Sequence, residues 1–332
     1  MKIIALTPDR KMDALAPLIM NGLYDNDIEV IASDGGNGVK NVYTDEQILE
    51  HAKDADYILA IFGKVNPTEV PFIRYPRHYL LDAINRPDIT AYIDGSEWTC
   101  TAHPDSPTQI SESVTNVRRL RGEPWINERM YERCSWYFKR AVFPEDLKRD
   151  KIIPCYIGAW NSWCLDSTDA QPSEKTYDLY CSFGGNAGHT STGLREPVYN
   201  HCKTLKGINS LVGTRLGHTE YLNALANSYI GISAWGAANC CMRMWEIIAN
   251  KTCCFIQEPI IEYPHKFVDG ESCVYYSNID EFKEKLDYYL SNKDECLRIG
   301  LNGYNHMKKY HTGKARVRYM LEVMKGKDWR TL

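Results

Sequence analysis

Apolar runs of strand length recur along this chain, too continuous for the half-buried strands of a one-sided sheet, with helical stretches between them. In the first half they are "KIIAL" (Lys2 to Leu6), "IEVIAS" (Ile28 to Ser33), "YILAIFG" (Tyr57 to Gly63), "ITAYID" (Ile89 to Asp94) and "KIIPCYI" (Lys151 to Ile157). The helical stretches include "TDEQILEHAKDA", where Thr44 precedes Glu46 and Gln47 as an N-cap before an acidic first turn. Strands buried on both faces and separated by helices specify an α/β fold, with parallel sheets covered by helices on both sides.

The polar stretch "NSWCLDSTDAQPSEKT" (Asn161 to Thr176) interrupts this pattern, which restarts at "YDLYCSFGG" (Tyr177 to Gly185). Next come a helix near Arg195 to Lys206, "SLVG", a helix through "HTEYLNALANS", "YIGIS", a further helix, "TCCFIQ" and "SCVYY". A chain of 332 residues suits two domains. The organisation expected is residues 1–160 as one doubly wound domain, 161–176 as linker, 177–310 as a second such domain, and 311–332 as a helix packing back toward the first. That last helix has Val317, Met320, Leu321 and Met324 at helical spacing. Between two such domains, a cleft lined by the carboxyl ends of both sheets is where ligands are expected.

Composition narrows the class. With 44% hydrophobic and 25% charged residues and no run of about 18 apolar residues, a globular protein without a membrane span is expected. The apolar run at the N-terminus is too short for a signal peptide, which predicts a cytoplasmic location. A net charge of −4 argues against global attraction to nucleic acid or anionic membrane and leaves only local patches. The 12 cysteines form no CxxC pair, and the adjacent pairs Cys240-Cys241 and Cys253-Cys254 suit neither a bridge nor a zinc site, so reduced, buried thiols are expected. The histidines show no metal-ligand spacing, and no metal is expected. No GxGxxG fingerprint or GxxxxGK[ST] loop is present, which disfavours dehydrogenase and NTPase readings.

The stretch "GISAWGAANCCMRMWEIIANKTCCFIQEP" (Gly231 to Pro259) predicts strand, small-residue loop, helix from Asn239 to Asn250, and strand. At 100° per residue, Arg243, Glu246 and Asn250 fall within about 60° on a helix otherwise apolar all round. A partly solvated face is one explanation. The other is a ligand site: a helix start after the small-residue loop Ser233, Trp235, Gly236, Ala237 and Asn239 favours a phosphate, with Arg243 pairing it or orienting Glu246, and Glu246 accepting from a ribose diol. "CSFGGNAGHTSTGLREPVYN" (Cys181 to Asn200) puts Gly184 and Gly185 at a strand end and Arg195 at a helix start, as a second wall for a diphosphate or as a plain loop. "SDGGNGVK" (Ser33 to Lys40) reads as a loop.

The helix just described is followed in order by Asp269-Gly270-Glu271, Tyr288-Tyr289-Leu290, Asn302-Gly303, His311-Thr312 and Arg316. From about Tyr177 to Met324 this resembles the C-terminal, group 1 type domain of GT-B glycosyltransferases, particularly the CgeB-like group. The resemblance implies a GT-B fold of two Rossmann-like domains and transfer of a sugar from a nucleoside diphosphate without a metal or cofactor. It favours UDP over GDP and a retaining outcome, and it assigns Glu246 to the donor ribose. Many retaining relatives have a sugar-facing glutamate eight residues earlier, where this chain has Ala238.

The acceptor side is expected in the first domain. "YIDGSEWTCTAHPD" (Tyr92 to Asp105) places Asp94, Glu97 and His103 after a buried strand as general-base candidates, or as a turn and surface residues. Thr7, Pro8 and Asp9 follow the first strand and are acceptor-side candidates on the same topological ground. "TNVRRLRGEPWINERMYERCSWYFKR" (Thr115 to Arg140) carries six arginines and a lysine among aromatics, with Arg118, Arg119 and Trp125 as contacts. It reads as an ion-paired helix, or as a surface for an anionic glycan or a modified DNA base. A hydroxyl acceptor, most simply a glycan, is the expected partner. A nucleotide-sugar epimerase and a non-catalytic nucleotide-sugar or glycan-binding protein are the alternatives.

Overall fold

The computed structural model describes residues 1–7, 15–36, 38–62, 77–95, 127–159, 174–183, 194–235 and 241–332. The chain divides into two compact units: residues 1–158, 261–264 and 312–332 form the first, and 159–260 and 265–311 the second.

The first unit begins with β1 (Lys2–Leu6), α1 (Leu15–Asp25), β2 (Glu29–Ala32), α2 (Asp45–His51), β3 (Tyr57–Phe62), α3 (Leu80–Ile84), β4 (Thr90–Asp94), α4 (Glu128–Glu132), β5 (Trp136–Lys139) and β6 (Ile152–Pro154). The strands lie in the order β2-β1-β3-β4-β5-β6, every neighbouring pair parallel. Ile4, Leu6, Ile58, Ala60, Phe62, Tyr92 and Tyr137 fill one core cluster. The N-cap reading of Thr44 holds as a full capping box, its hydroxyl accepting from Gln47 N at 3.3 Å while Gln47 Oε1 accepts from Thr44 N at 2.9 Å.

β5 corrects the reading of Thr115–Arg140. "WYFK" is a buried strand, paired with both β4 and β6, in which Tyr137, Phe138 and Lys139 have no exposure. The flanking Arg133 and Arg140 disguised it as part of a basic stretch. The outer residues of that stretch are ion-paired: Arg133 meets Asp82 at 2.6 Å and Arg129 meets it at 3.7 Å.

The second unit contains β7 (Tyr177–Cys181), α5 (Arg195–Thr204), β8 (Ser210–Val212), α6 (His218–Ala226), β9 (Ser228–Ser233), α7 (Met242–Ala249), β10 (Cys253–Gln257), β11 (Val274–Tyr276), α8 (Ile279–Ser291) and α9 (Lys293–Tyr310). Its sheet order is β11-β10-β9-β7-β8, again all parallel. The described cysteines are free thiols, and all but Cys241 are buried. Cys181, Cys202, Cys253 and Cys296 pack in this core beside Leu179, Ile232, Phe255 and Phe282. No described helix is long and apolar enough to cross a membrane.

The last helix, α10 (Gly313–Met324), belongs to the first unit. Thr312 caps it by accepting from Ala315 N at 3.2 Å, and Val317, Met320, Leu321 and Met324 are all buried, as their spacing predicts. Tyr319 donates to Pro154 O at 3.0 Å, and Asn26 Nδ2 donates to Lys314 O at 3.0 Å. The helix lies against α1 at a glycine pair. A Cβ on Gly22 would stand 2.1 Å from Gly313 O and 2.8 Å from Val317 Cγ2, so only hydrogen fits there.

That contact generates a prediction. Gly22→Ala must push two helix backbones apart and should destabilise the first unit by about 1–3 kcal/mol, the cost of overpacking. Gly35→Ala, whose Cβ would meet Val42 Cγ2 at 3.6 Å, should change stability by no more than about 0.5 kcal/mol. Urea unfolding of the two variants beside the parent checks the difference; equal stabilities would refute the close helix contact.

Candidate functional site

Because all strands of the second sheet run the same way, Cys181, Ser233, Gln257 and Tyr276 end on one edge. Gln257 ties this edge together: its side-chain carbonyl accepts from Trp235 N at 3.1 Å and Leu194 N at 3.3 Å. Its own main-chain oxygen accepts from Trp235 Nε1 at 2.9 Å. One buried amide thus holds the start of the loop after β9 and the residue preceding α5. Tyr276 donates to Ser233 O at 3.3 Å from the next strand, fixing the same loop.

α7 follows that loop. It packs on β9 where Gly231 lacks a side chain: a Cβ there would sit 2.7 Å from Ile247 Cγ2. The helix spans Met242–Ala249, shorter than the expected 239–250, with Cys241 as N-cap and Asn250 as C-cap. Two of the three residues of its polar stripe are buried, and Arg243 is half-buried. Glu246 is 8% exposed and Asn250 fully buried, Asn250 Nδ2 donating to Glu246 O at 2.7 Å. The Glu246 carboxylate accepts from the hydroxyl of Tyr221, on α6, at 2.6 Å between Oε2 and the phenol oxygen. Burial, and next the Glu246 charge, push the Tyr221 phenol well above its ordinary pKa, so Tyr221 stays protonated and donates.

Arg243, one turn before Glu246, lies over the ring of Phe183 at 5.6 Å, and Arg195, the first residue of α5, lies over the same ring at 5.5 Å. The Nε of each guanidinium is buried without a hydrogen-bond partner, and neither arginine forms an ion pair among the described residues. The structure therefore brings together Arg195, Arg243 and Glu246, with Ser233 and Trp235 at the adjoining strand end. The sequence reading did not single out Phe183, Tyr221 or Gln257. Gln257 left a signal, a lone amide closing the buried run "CCFIQ".

In the first unit, Asp94 stands at the end of β4, fully buried, and its Oδ2 accepts from Tyr137 Oη at 2.9 Å and Lys139 Nζ at 3.2 Å. The candidate base Asp94 is thus engaged by a buried lysine and a phenol at the strand end. Thr7 is likewise buried, its N–H donating to Ser33 Oγ at 3.0 Å and its hydroxyl to Asp34 O at 3.2 Å, and it joins the ends of β1 and β2. Tyr137, Lys139 and Arg140, from the basic-aromatic stretch, are buried too and offer no surface for nucleic acid.

Asp9, Glu97, His103, Arg118, Arg119, Trp125, Gly184, Gly185, Gly236, Ala237, Ala238 and Asn239 lie outside the described residues. Among the described residues no group of three or more His, Cys, Asp or Glu is placed to hold a metal ion.

The two units have the fold of GT-B glycosyltransferases. An alpha-glucosyltransferase in complex with UDP-glucose and DNA containing an abasic site matches with a TM-score of 0.54 at 10% identity, over 98% of each chain. A glycosyltransferase from Rickettsia africae matches at 0.52 and 13% identity, over 98% of this chain and 97% of that one. Anabaena HepE in complex with UDP matches at 0.52 and 10% identity, over 98% and 100%. Residues 175–322 match the family described as "Glycosyl transferase-like". Comparison with curated proteins gives no match.

Two substitutions follow from the strand-end geometry. Gln257→Leu leaves the N–H groups of Trp235 and Leu194 without their acceptor and should cost about 2–4 kcal/mol of stability, whereas Gln257→Glu, which keeps an acceptor, should cost less. Asp94→Ala removes the carboxylate facing Lys139 and should cost about 3–5 kcal/mol, the range for breaking a buried pair. Thermal and denaturant unfolding read both; an Asp94→Ala protein as stable as the parent would show that the pair has no structural role.

Proposed function

We propose that the C-terminal edge of the second sheet binds a nucleoside diphosphate and that the protein transfers the attached sugar to a hydroxyl acceptor. The observation that carries this reading is the pair of guanidinium groups, Arg195 and Arg243, over one phenylalanine ring, each with a buried Nε lacking a partner among the described residues. Two cations concentrated without a nearby ion-paired acid suit a diphosphate, which accepts from guanidinium through several oxygens. Arg243 lies in the first turn of α7, whose first N–H groups favour the same anion. Glu246, one turn further along, is a buried acceptor, and we assign it to the ribose. UDP is the favoured nucleotide, since two similar structures carry UDP or UDP-glucose.

In the transfer, the bond between the anomeric carbon and the diphosphate oxygen breaks and the acceptor oxygen bonds to that carbon. The acceptor's proton is released, and the negative charge developing on the departing phosphate falls beside Arg195 and Arg243. This charge compensation comes from side chains, which fits a metal-independent reaction. A retaining outcome is proposed from the family resemblance alone. A departing phosphate can itself take the acceptor proton, so such a mechanism does not depend on a protein base; Asp94, Glu97 and His103 are the candidates where one acts. A glycan is the acceptor we favour over DNA, because the described part of the basic-aromatic stretch is buried or ion-paired.

Isothermal titration with UDP, GDP, ADP, TDP and CDP tests the reading. UDP should bind, and Arg195→Ala, Arg243→Ala and Glu246→Ala should each weaken it by about tenfold or more, the loss expected for a charge-assisted hydrogen bond. If none of the five nucleotides binds, the donor site is wrong. If a UDP-sugar is converted without any acceptor, the epimerase reading replaces transfer.

A further inference from the structure

The Glu246 carboxylate is nearly buried, and among the described residues the Tyr221 hydroxyl is its one hydrogen-bond donor. A buried carboxylate on a flexible side chain has several rotamers, and a single short hydrogen bond to a neighbouring helix selects among them. Tyr221 is itself held: its ring packs against Tyr180 with centroids 5.6 Å apart, and Tyr180 lies on β7, two residues short of Ser182. Tyr221 comes from α6, so it transmits the position of a separate helix to the carboxylate.

Resting on the donor-site reading above, we propose that Tyr221 is the positioning residue of ribose recognition. It occupies Glu246 Oε2 and leaves Oε1 to accept from a ribose hydroxyl of the bound nucleotide. On this reading the contribution of Tyr221, which acts through Glu246, is confined to the nucleoside end of the ligand.

The test is a double-mutant cycle of Tyr221→Phe and Glu246→Gln, titrated with UDP and with 2′,3′-dideoxy-UDP. Tyr221→Phe keeps the ring and removes one oxygen, so the apo protein should melt within a few degrees of the parent. The variant should bind UDP roughly ten- to a hundredfold more weakly, the loss of one hydrogen bond to a charged group, and bind the dideoxy nucleotide as the parent does. In the Glu246→Gln background the added Tyr221→Phe change should have little further effect on UDP.

An equal loss for both ligands would make Tyr221 a general structural residue and overturn the proposal, as would an unchanged UDP affinity. A full additive loss in the Glu246→Gln background would do the same. The donor-site reading fails separately, and the proposal with it, if the parent does not bind UDP or if Glu246→Ala binds it unchanged.

Discussion

Every described strand pairing within the two sheets is parallel, and this constraint governs where chemistry appears in each unit. A parallel strand cannot turn directly into its neighbour; the chain must cross over, usually through a helix, and re-enter the sheet at the same end. All strands therefore finish on one edge, where residues far apart in sequence meet. In the second unit that edge gathers Phe183, Trp235, Gln257 and Tyr276; in the first it gathers Thr7, Ser33, Asp94 and Lys139.

The two edges solve the problem of buried polarity in opposite ways. In the first unit the groups satisfy one another: Lys139 and Tyr137 hold Asp94, Ser33 holds Asp34 and the Thr7 backbone, and Arg77 bridges Asp34 and Asp45 at 3.4 and 2.7 Å. Such a closed network rigidifies the strand ends and leaves little charge to offer a ligand. The second unit keeps two arginines over Phe183 with buried nitrogens unsatisfied among the described residues. Each of these arginines has donor capacity left open among the described residues, and on the proposed reading an anion fills it.

Much of the fold was legible because continuous apolar runs and caps are local. The strands at Lys2–Leu6, Tyr57–Phe62 and Ser228–Ser233, the Thr44 capping box and the buried face of the last helix all follow from residues within one element. β5 was not legible, since Lys139 and Arg140 beside a four-residue strand resemble a solvated charged segment until Asp94, 45 residues earlier, is seen to receive the lysine. The same distance hid the role of Asp94. In the candidate site, Arg243 and Glu246 stood out as polar groups on an apolar helix. Tyr221, 25 residues away, carries no local mark, because its significance comes from which helix the sheet brings next to α7.

Arg243 and Glu246 lie three residues apart on a single short helix, about 4.5 Å along its axis. On the proposed reading the first serves the diphosphate and the second the ribose, so one rigid element sets the spacing between the two ends of the ligand. A small rotation of α7 would misplace both together, and the structure resists that rotation at three points. Ile247 seats on the bare backbone of Gly231, Asn250 closes the C-terminal turn onto Glu246 O, and Tyr221 holds the carboxylate from the side. Trp235, at the end of β9, is fixed in turn by Gln257. Preorganisation of this kind lets a site bind without first ordering its own side chains, which is where much of the cost of association lies. The polar residues of an otherwise apolar helix are thus accounted for by what holds them as much as by what they would hold.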